Sequence, residues 1–142
     1  MFILDTNVVS ELFRPAPADE VVAWIAGADP ARLFVTAITK AEILLGVALM
    51  QPGRRRDALE SVLDAFFREK MRTDILPFGE MEAVHFARIV SHRRSIGRPI
   101  GEFDAQIGAI ARAHDYAIVT RNARDFTDCG VGVINPFAEA SQ

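Results

Sequence analysis

An apolar run breaks at a single acid and resumes with helical spacing: Phe2-Ile3-Leu4, then Asp5, then Thr6-Asn7-Val8-Val9-Ser10-Glu11-Leu12-Phe13. The first three residues lack polar alternation, so they read as a strand buried on both faces, the habit of parallel sheets. Val8, Val9, Leu12 and Phe13 recur as one face of a helix. Asp5 therefore stands at the carboxyl end of a strand, with Thr6 or Asn7 as the expected helix N-cap. In open α/β sheets the crevice at the carboxyl ends of the strands is where ligands bind. Asp5 either faces such a crevice or merely starts the helix, and the rest of the chain decides between the two.

The remaining segments repeat the alternation. Arg14-Pro15-Ala16-Pro17 closes the first helix, because the residue before a proline is driven out of the α region. A short helix follows through Val22, Trp24 and Ile25 to Gly27, and Leu33-Phe34-Val35 reads as the second strand. The next helix opens near Thr36 to Thr39, with Ile38, Ala41, Leu45, Ala48 and Leu49 as its apolar stripe. Thr39 and Glu42 have the spacing of a capping box, but an N-cap nearer Thr36 would free Glu42 for chemistry. A helix is expected over 57–70, with Leu59, Val62, Leu63, Phe66 and Phe67 on one face. Ile75-Leu76-Pro77-Phe78 reads as an edge strand, because proline lacks a ladder donor.

Residues 80–94 read as a helix with Met81, Val84, Ala87 and Val90 in register. A turn-rich loop then leads to a helix carrying Asp104, Ile107, Ile110 and Ala111. Gly108 inside it points to close packing of helix on sheet. Asp115 is suited to the left-handed cap that ends this helix. Strands follow at 116–120 and 131–134, with Asn122 just beyond the first of them. The expected architecture is a three-layer α/β sandwich with a mainly parallel central sheet flanked by helices, one domain over 1–142.

Composition removes several classes of function. Half of the 142 residues are hydrophobic and a quarter are charged, as in a folded globular protein. The most apolar stretch, 43–50, is far too short to span a bilayer. The apolar run at the start is interrupted at once by Asp5 and Asn7, unlike a signal peptide. The single cysteine, Cys129, rules out an internal disulfide or a cysteine-based zinc site. A cytoplasmic location, away from any membrane, is the default expectation. A net charge of −3 gives no global pull toward nucleic acid. Positive charge is clustered, however, at Arg54, Arg55 and Arg56 and at Arg93, Arg94 and Arg98. The second cluster precedes Asp104 closely and is the candidate grip on phosphates.

Asp5 follows a strand, Glu42 and Asp104 lie in the first turns of helices, and Asn122 follows another strand. In a parallel sheet these places share one end. Carboxylates gathered there repel one another unless a cation or proton is present. Hard oxygen donors without histidine or cysteine favour Mg²⁺, with Mn²⁺ as the alternative. Such an ion can activate water and stabilise the leaving oxygen of an in-line phosphoryl displacement.

The motifs Leu4-Asp5-Thr6-Asn7-Val8-Val9-Ser10-Glu11, Ala37-Ile38-Thr39-x-Ala41-Glu42-x-x-x-Gly46, Asp104-x-x-Ile107-x-Ala109 and Val119-Thr120-Arg121-Asn122-x-x-Asp125-Phe126, through to Asn135-Pro136, resemble PIN-domain ribonucleases. The resemblance is to the VapC toxins, and most of all to their FitB-like branch. It implies a PIN-like fold and a metal-dependent endoribonuclease, the toxin of a type II toxin–antitoxin pair. It further implies a cognate small antitoxin, contact with operator DNA only through that antitoxin, and a homodimer. By position, Asp5, Glu42 and Asp104 match the family's metal-site acids, and Thr6 and Thr120 match hydroxyl residues that orient them. The fourth catalytic acid falls on Asn122, a departure that bears on a second metal; Asp125 is either its substitute or a structural part of the closing turn.

Three other classes compete with this reading. A phosphoacceptor module needs an acid beside Asp5 and a late lysine, and the chain has neither. A phosphatase of the haloacid-dehalogenase type needs an aspartate where Asn7 stands. A catalytically silent PIN fold, acting only as a partner in an antitoxin–operator complex, is the alternative that cleavage assays separate.

Overall fold

The computed structural model describes residues 1–71 and 74–138. Its sheet comprises β1 (Phe2–Leu4), β2 (Leu33–Thr36), β3 (Ile75–Leu76), β4 (Ala117–Val119) and β5 (Val133–Ile134). They lie in the order β3-β2-β1-β4-β5, and every pairing is parallel, not merely most of them. β1 is central: Ile3 stands opposite Phe34 on one side and Ile118 on the other. The chain crosses first to β2 and β3 and later returns beyond β1 to β4. The strand order thus reverses at β1, which places Asp5 at a topological switch point.

Six α-helices flank this sheet among the described residues: α1 (Thr6–Leu12), α2 (Asp19–Gly27), α3 (Ala37–Ala48), α4 (Arg54–Ala65), α5 (Glu80–Ser95) and α6 (Glu102–His114). Successive residues of β1 serve opposite faces, as strand geometry requires. Leu4 packs with Val8, Val9, Val21, Val47 and Leu63 from α1 to α4. Ile3 packs with Ile107, Ile110 and Ala111 of α6. α5 forms an outer layer on α6, where Ile89 meets Ala109 and Cys129.

Several local expectations are corrected. The N-cap of α1 is Asp5 itself, whose side chain accepts a hydrogen bond from the Thr6 amide. α4 begins at Arg54, so the arginine run forms its first turn; it gives way to a π-helical turn over Phe66–Lys70. Phe67 is buried in the core, and Phe66 packs edge-on against Phe13 and Phe67. Trp24 packs the same way against Phe2. These large side chains are therefore used within the fold.

The apolar stripes of two helices face outward. On α3 the buried residues are Thr39, Ile43 and Val47, while Leu45 and Leu49 are 53% and 77% exposed. On α5 the buried pair is Ile89 and Arg93, while Met81 and Val84 are 66% and 51% exposed. Gly108 faces α5 and the Phe126 turn, not the sheet. A methyl group there would meet Ile89, Phe126 and Cys129 at 3.7–4.0 Å, ordinary contact distances. Asp115 does adopt the left-handed cap, with φ 56° and ψ 43°.

Candidate functional site

The site is built where β1, β2 and β4 end. Asp5 is 4% exposed and held from three directions. Its Oδ1 accepts from the Thr6 amide at 2.8 Å. Its Oδ2 accepts from Thr120 Oγ1 at 2.8 Å and from Asn7 Nδ2 at 3.3 Å. Asn7 Nδ2 also donates to Thr120 Oγ1 at 3.1 Å, and Asn7 Oδ1 accepts from the Arg121 amide at 3.1 Å. Asn7 thereby ties the first turn of α1 to the end of β4.

Glu42 is placed by a series of threonines. Thr36 caps α3, accepting from the Thr39 amide at 3.1 Å, so Glu42 is not consumed in a capping box. Thr6 Oγ1 donates to Glu42 Oε1 at 2.9 Å and lies 3.0 Å from Thr39 Oγ1. The Thr6 hydroxyl thus links the Asp5 turn to Glu42. Asp104 is the third residue of α6, half-buried near Gly101.

Burial and mutual repulsion decide the charge state. Burial pushes the Asp5 carboxyl up from its ordinary range, against the hydrogen bonds from Thr120 and Thr6, and the charge of Asp125 adds to the rise. Burial likewise raises Glu42, opposed by Thr6 and helped by Asp5. Asp104 is pushed up to about 6, first by burial and then by Asp5, Asp125 and Glu42, with Arg93 opposing. A helix N-terminus alone favours an ionised carboxylate, so the surroundings of Asp104 outweigh that effect. Asp5, Glu42, Asp104 and Asp125 share one electrostatic field, and bringing a cation among them relieves it.

Among the described residues, no three acidic, histidine or cysteine side chains lie close enough to ligate one ion together. Mg²⁺ is commonly held by one or two carboxylates and keeps several of its waters. Carboxylate oxygens without histidine or cysteine are the donor chemistry such an ion takes. The residues present therefore fit a partly hydrated Mg²⁺ or Mn²⁺.

The other candidates separate. The Asn122 amide N–H donates to Thr120 Oγ1 at 3.1 Å, while its exposed side chain makes no hydrogen bond among the described residues. Arg94 is exposed, and Arg98 pairs with Asp128 at 3.4 Å on the surface. Arg93 is corrected outright as a surface contact: it is 5% exposed and its guanidinium donates to backbone carbonyls. Sequence reasoning gave Asn7 no task beyond capping. It also missed Glu11, buried in the same motif, which accepts from the Ala18 amide at 3.0 Å and holds the turn after α1. That amide, then Arg14 and Arg121, lowers the Glu11 pKa against its burial.

The sequence profile of the PIN domain matches residues 2–130. The chain belongs to the PIN-domain family. As a PIN domain it is similar to Toxin FitB of Neisseria gonorrhoeae, 37% identical over 96% of this chain and 99% of that protein. It is 34% identical to the VapC ribonuclease Y4jK of Sinorhizobium fredii, over 99% and 100% of the two chains. Its fold superimposes on FitAcB from Neisseria gonorrhoeae with a TM-score of 0.92 at 37% identity, covering 96% of this chain and 99% of that one. On FitAB bound to an IR36 DNA fragment the TM-score is 0.94 at 35% identity, covering 99% of each chain.

Proposed function

We propose that this PIN domain, acting as one unit over residues 1–142, is a Mg²⁺-dependent endoribonuclease and the toxin of a type II toxin–antitoxin pair. The observation that carries the proposal is the gathering of Asp5, Glu42 and Asp104 at one end of the sheet, each with its acidity depressed by burial and by another acid. One or two of these carboxylates would hold the ion directly, and the remainder would reach it through its waters. A bound Mg²⁺ or Mn²⁺ supplies charge neutralisation at a phosphodiester and lowers the pKa of water.

The chain's own residues fix the geometry. Thr120 and Asn7 orient Asp5, and Thr6 with Thr39 orients Glu42. The exposed Asn122 side chain and Arg94 and Arg98 stand on the outer surface, available to RNA. A small antitoxin partner is proposed from the likeness to FitAB, with operator DNA reached only through it; the chain's net charge of −3 agrees with that division of labour. Leu45, Leu49, Met81 and Val84 give apolar surface for a symmetric homodimer. No helix among the described residues is long and apolar enough to cross a membrane, which suits the proposed cytoplasmic location.

The test is incubation of purified protein with total RNA in Mg²⁺, Mn²⁺ or EDTA, beside an Asp5→Asn variant. Cleavage that needs a divalent ion and Asp5 is expected. An RNA population left intact under every condition returns the chain to the catalytically silent alternative.

A further inference from the structure

Three basic side chains from two helices open onto one cleft that the carboxylate site does not use. Arg88 and His92 stand on α5, Arg112 comes from the last turn of α6, and Asp128 and Gly130 close the cleft from the loop before β5. Its volume is about 490 Å³. Residues four apart on a helix are neighbours on its surface, so the spacing of Arg88 and His92 gathers them on one exposed face of α5.

These groups are unmatched. Among the described residues neither Arg88 nor Arg112 forms an ion pair or a side-chain hydrogen bond, and neither does the His92 ring. Asp128, the acid that lines the cleft, is engaged at 3.4 Å by Arg98. Two guanidiniums that share a cleft repel each other, and an anion placed between them relieves it. Arg112 is also seated. Gly130 has φ 75°, in the left-handed region, and a methyl group there would stand 3.3 Å from Nε, 3.5 Å from Cζ and 3.6 Å from Cδ of Arg112. The half-buried guanidinium therefore lies along bare backbone, in space that a side chain at 130 would take.

The cleft continues the surface already proposed for RNA. Arg98 joins it through Asp128. Asp104 lies on the same helix as Arg112, about 12 Å away along the axis at 1.5 Å per residue. A net charge of −3 draws no polyanion to the chain as a whole, so a held strand needs local cations. The planar fork of arginine matches the oxygens of a phosphate. No phenylalanine, tyrosine or tryptophan lines the cleft among the described residues, so it offers no platform on which a base would stack.

We propose that Arg88, His92 and Arg112 form a phosphate-binding cleft that grips the RNA backbone away from the cleaved bond. This rests on the ribonuclease reading above and extends the substrate's path from the acids along α6 to its last turn. Because the cleft reads phosphate and not base edges, it positions the strand without selecting its sequence.

The test is binding of a labelled single-stranded RNA to the full chain, followed by fluorescence anisotropy in EDTA over a series of salt concentrations. The proteins compared are the parent, the Arg88→Ala, Arg112→Ala double variant, Gly130→Ala, and an Arg68→Ala, Lys70→Ala control. The control removes the same charge from exposed positions that follow α4. Each contact with a single-strand phosphate contributes about 0.7 to the salt slope, so the Arg88→Ala, Arg112→Ala variant is expected to lower it by about 1.4. The control is expected to keep the parent slope. Gly130→Ala keeps every charge but displaces Arg112, and is expected to lose about half as much slope as the double variant. An unchanged slope in Arg88→Ala, Arg112→Ala overturns the proposal, whether or not Gly130→Ala folds. An equal fall in the control overturns it as well, since the effect is then one of net charge. Inorganic phosphate is the second probe: displacement of RNA beyond that caused by chloride of equal ionic strength would assign the cleft to a free anion and overturn the RNA grip. Cleavage of RNA in Mg²⁺ with an unchanged slope in the double variant removes this proposal alone. The expected loss of slope with RNA left intact in Mg²⁺ removes the ribonuclease reading and keeps the grip.

Discussion

Replacing Asp104 by asparagine takes one charge out of a half-buried site that also holds Asp5, Glu42 and Asp125. The Asp104 carboxyl moves from an ordinary 3.8 to about 6 on folding. At about 1.36 kcal/mol per pKa unit, this bounds the penalty for its ionised form at about 3 kcal/mol. The group is half open to water, so screening reduces the figure to about 1–2 kcal/mol. Loss of a negative charge at a helix N-terminus works the other way, by roughly 0.3–1 kcal/mol. A net gain of about 1 kcal/mol remains, about 3–4 °C in melting temperature for a domain of this size.

The sign follows from linkage. A folded-state pKa raised above the unfolded one makes the native state bind the proton more tightly. The penalty is therefore full above pH 6, shrinks as pH falls through that value, and vanishes below the unfolded pKa of 3.8. In EDTA at pH 7.5, Asp104→Asn should melt higher than the parent, and the difference should close toward pH 4. Mn²⁺ should stabilise the parent by RT ln(1 + [L]/Kd) and stabilise the variant less. Thermal melts followed by circular dichroism, in EDTA at both pH values and in Mn²⁺, supply the comparison, provided unfolding is reversible. A variant that melts lower than the parent in EDTA at pH 7.5, or a gain that ignores pH, would mean that Asp104 serves as a helix-end charge and not as a member of a repelling set.

Thr6→Val keeps shape but removes the hydroxyl that joins Glu42 and Thr39; a loss of about 1–2 kcal/mol in denaturant melts is expected, together with weaker RNA cleavage, and unchanged cleavage would free Glu42 from dependence on Thr6. Arg94→Ala should leave stability within about 0.5 kcal/mol while lowering the salt slope of RNA binding by up to about one; an unchanged slope would assign Arg94 to ordinary surface charge. Gly108→Ala should be tolerated or should stabilise by up to about 1 kcal/mol, because the added methyl finds contacts of 3.7–4.0 Å. A loss larger than about 1 kcal/mol would show that the α5–α6 seam has no room for even one added methyl.

The amino-acid order made the sheet legible and the helices only half so. Phe2 to Leu4 and Ala117 to Val119 are apolar without alternation, and a strand buried on both faces has few other ways to look. Asp5, Glu42 and Asp104 were readable because each stands at a punctuation mark, a strand end or a first helical turn. The stripes through Leu45 and Leu49 and through Met81 and Val84 are legible as shared faces but not as outward ones, because period tells which residues share a face and not which way the face looks. α5 turns Ile89 and Arg93 inward, and arginine is among the residues least often fully buried. Asn7 to Thr120 and Arg93 to Asp125 are contacts between residues 113 and 32 apart, for which no local pattern exists.

The central position of β1 has a consequence for folding. The first strand made has its two neighbours in β2 and β4, and the bond between Thr120 and Asp5 spans 115 residues. Such a closure is entropically costly and slow compared with helix formation. A partly folded chain in which β4 has not yet docked has its Asp5 carboxylate without the Thr120 hydroxyl and without the Asp125 turn. The complete carboxylate set is therefore a property of the native topology alone, and no early helical intermediate carries it. Folding itself acts as a gate, so that a chain still collapsing presents RNA with scattered acids and no assembled centre.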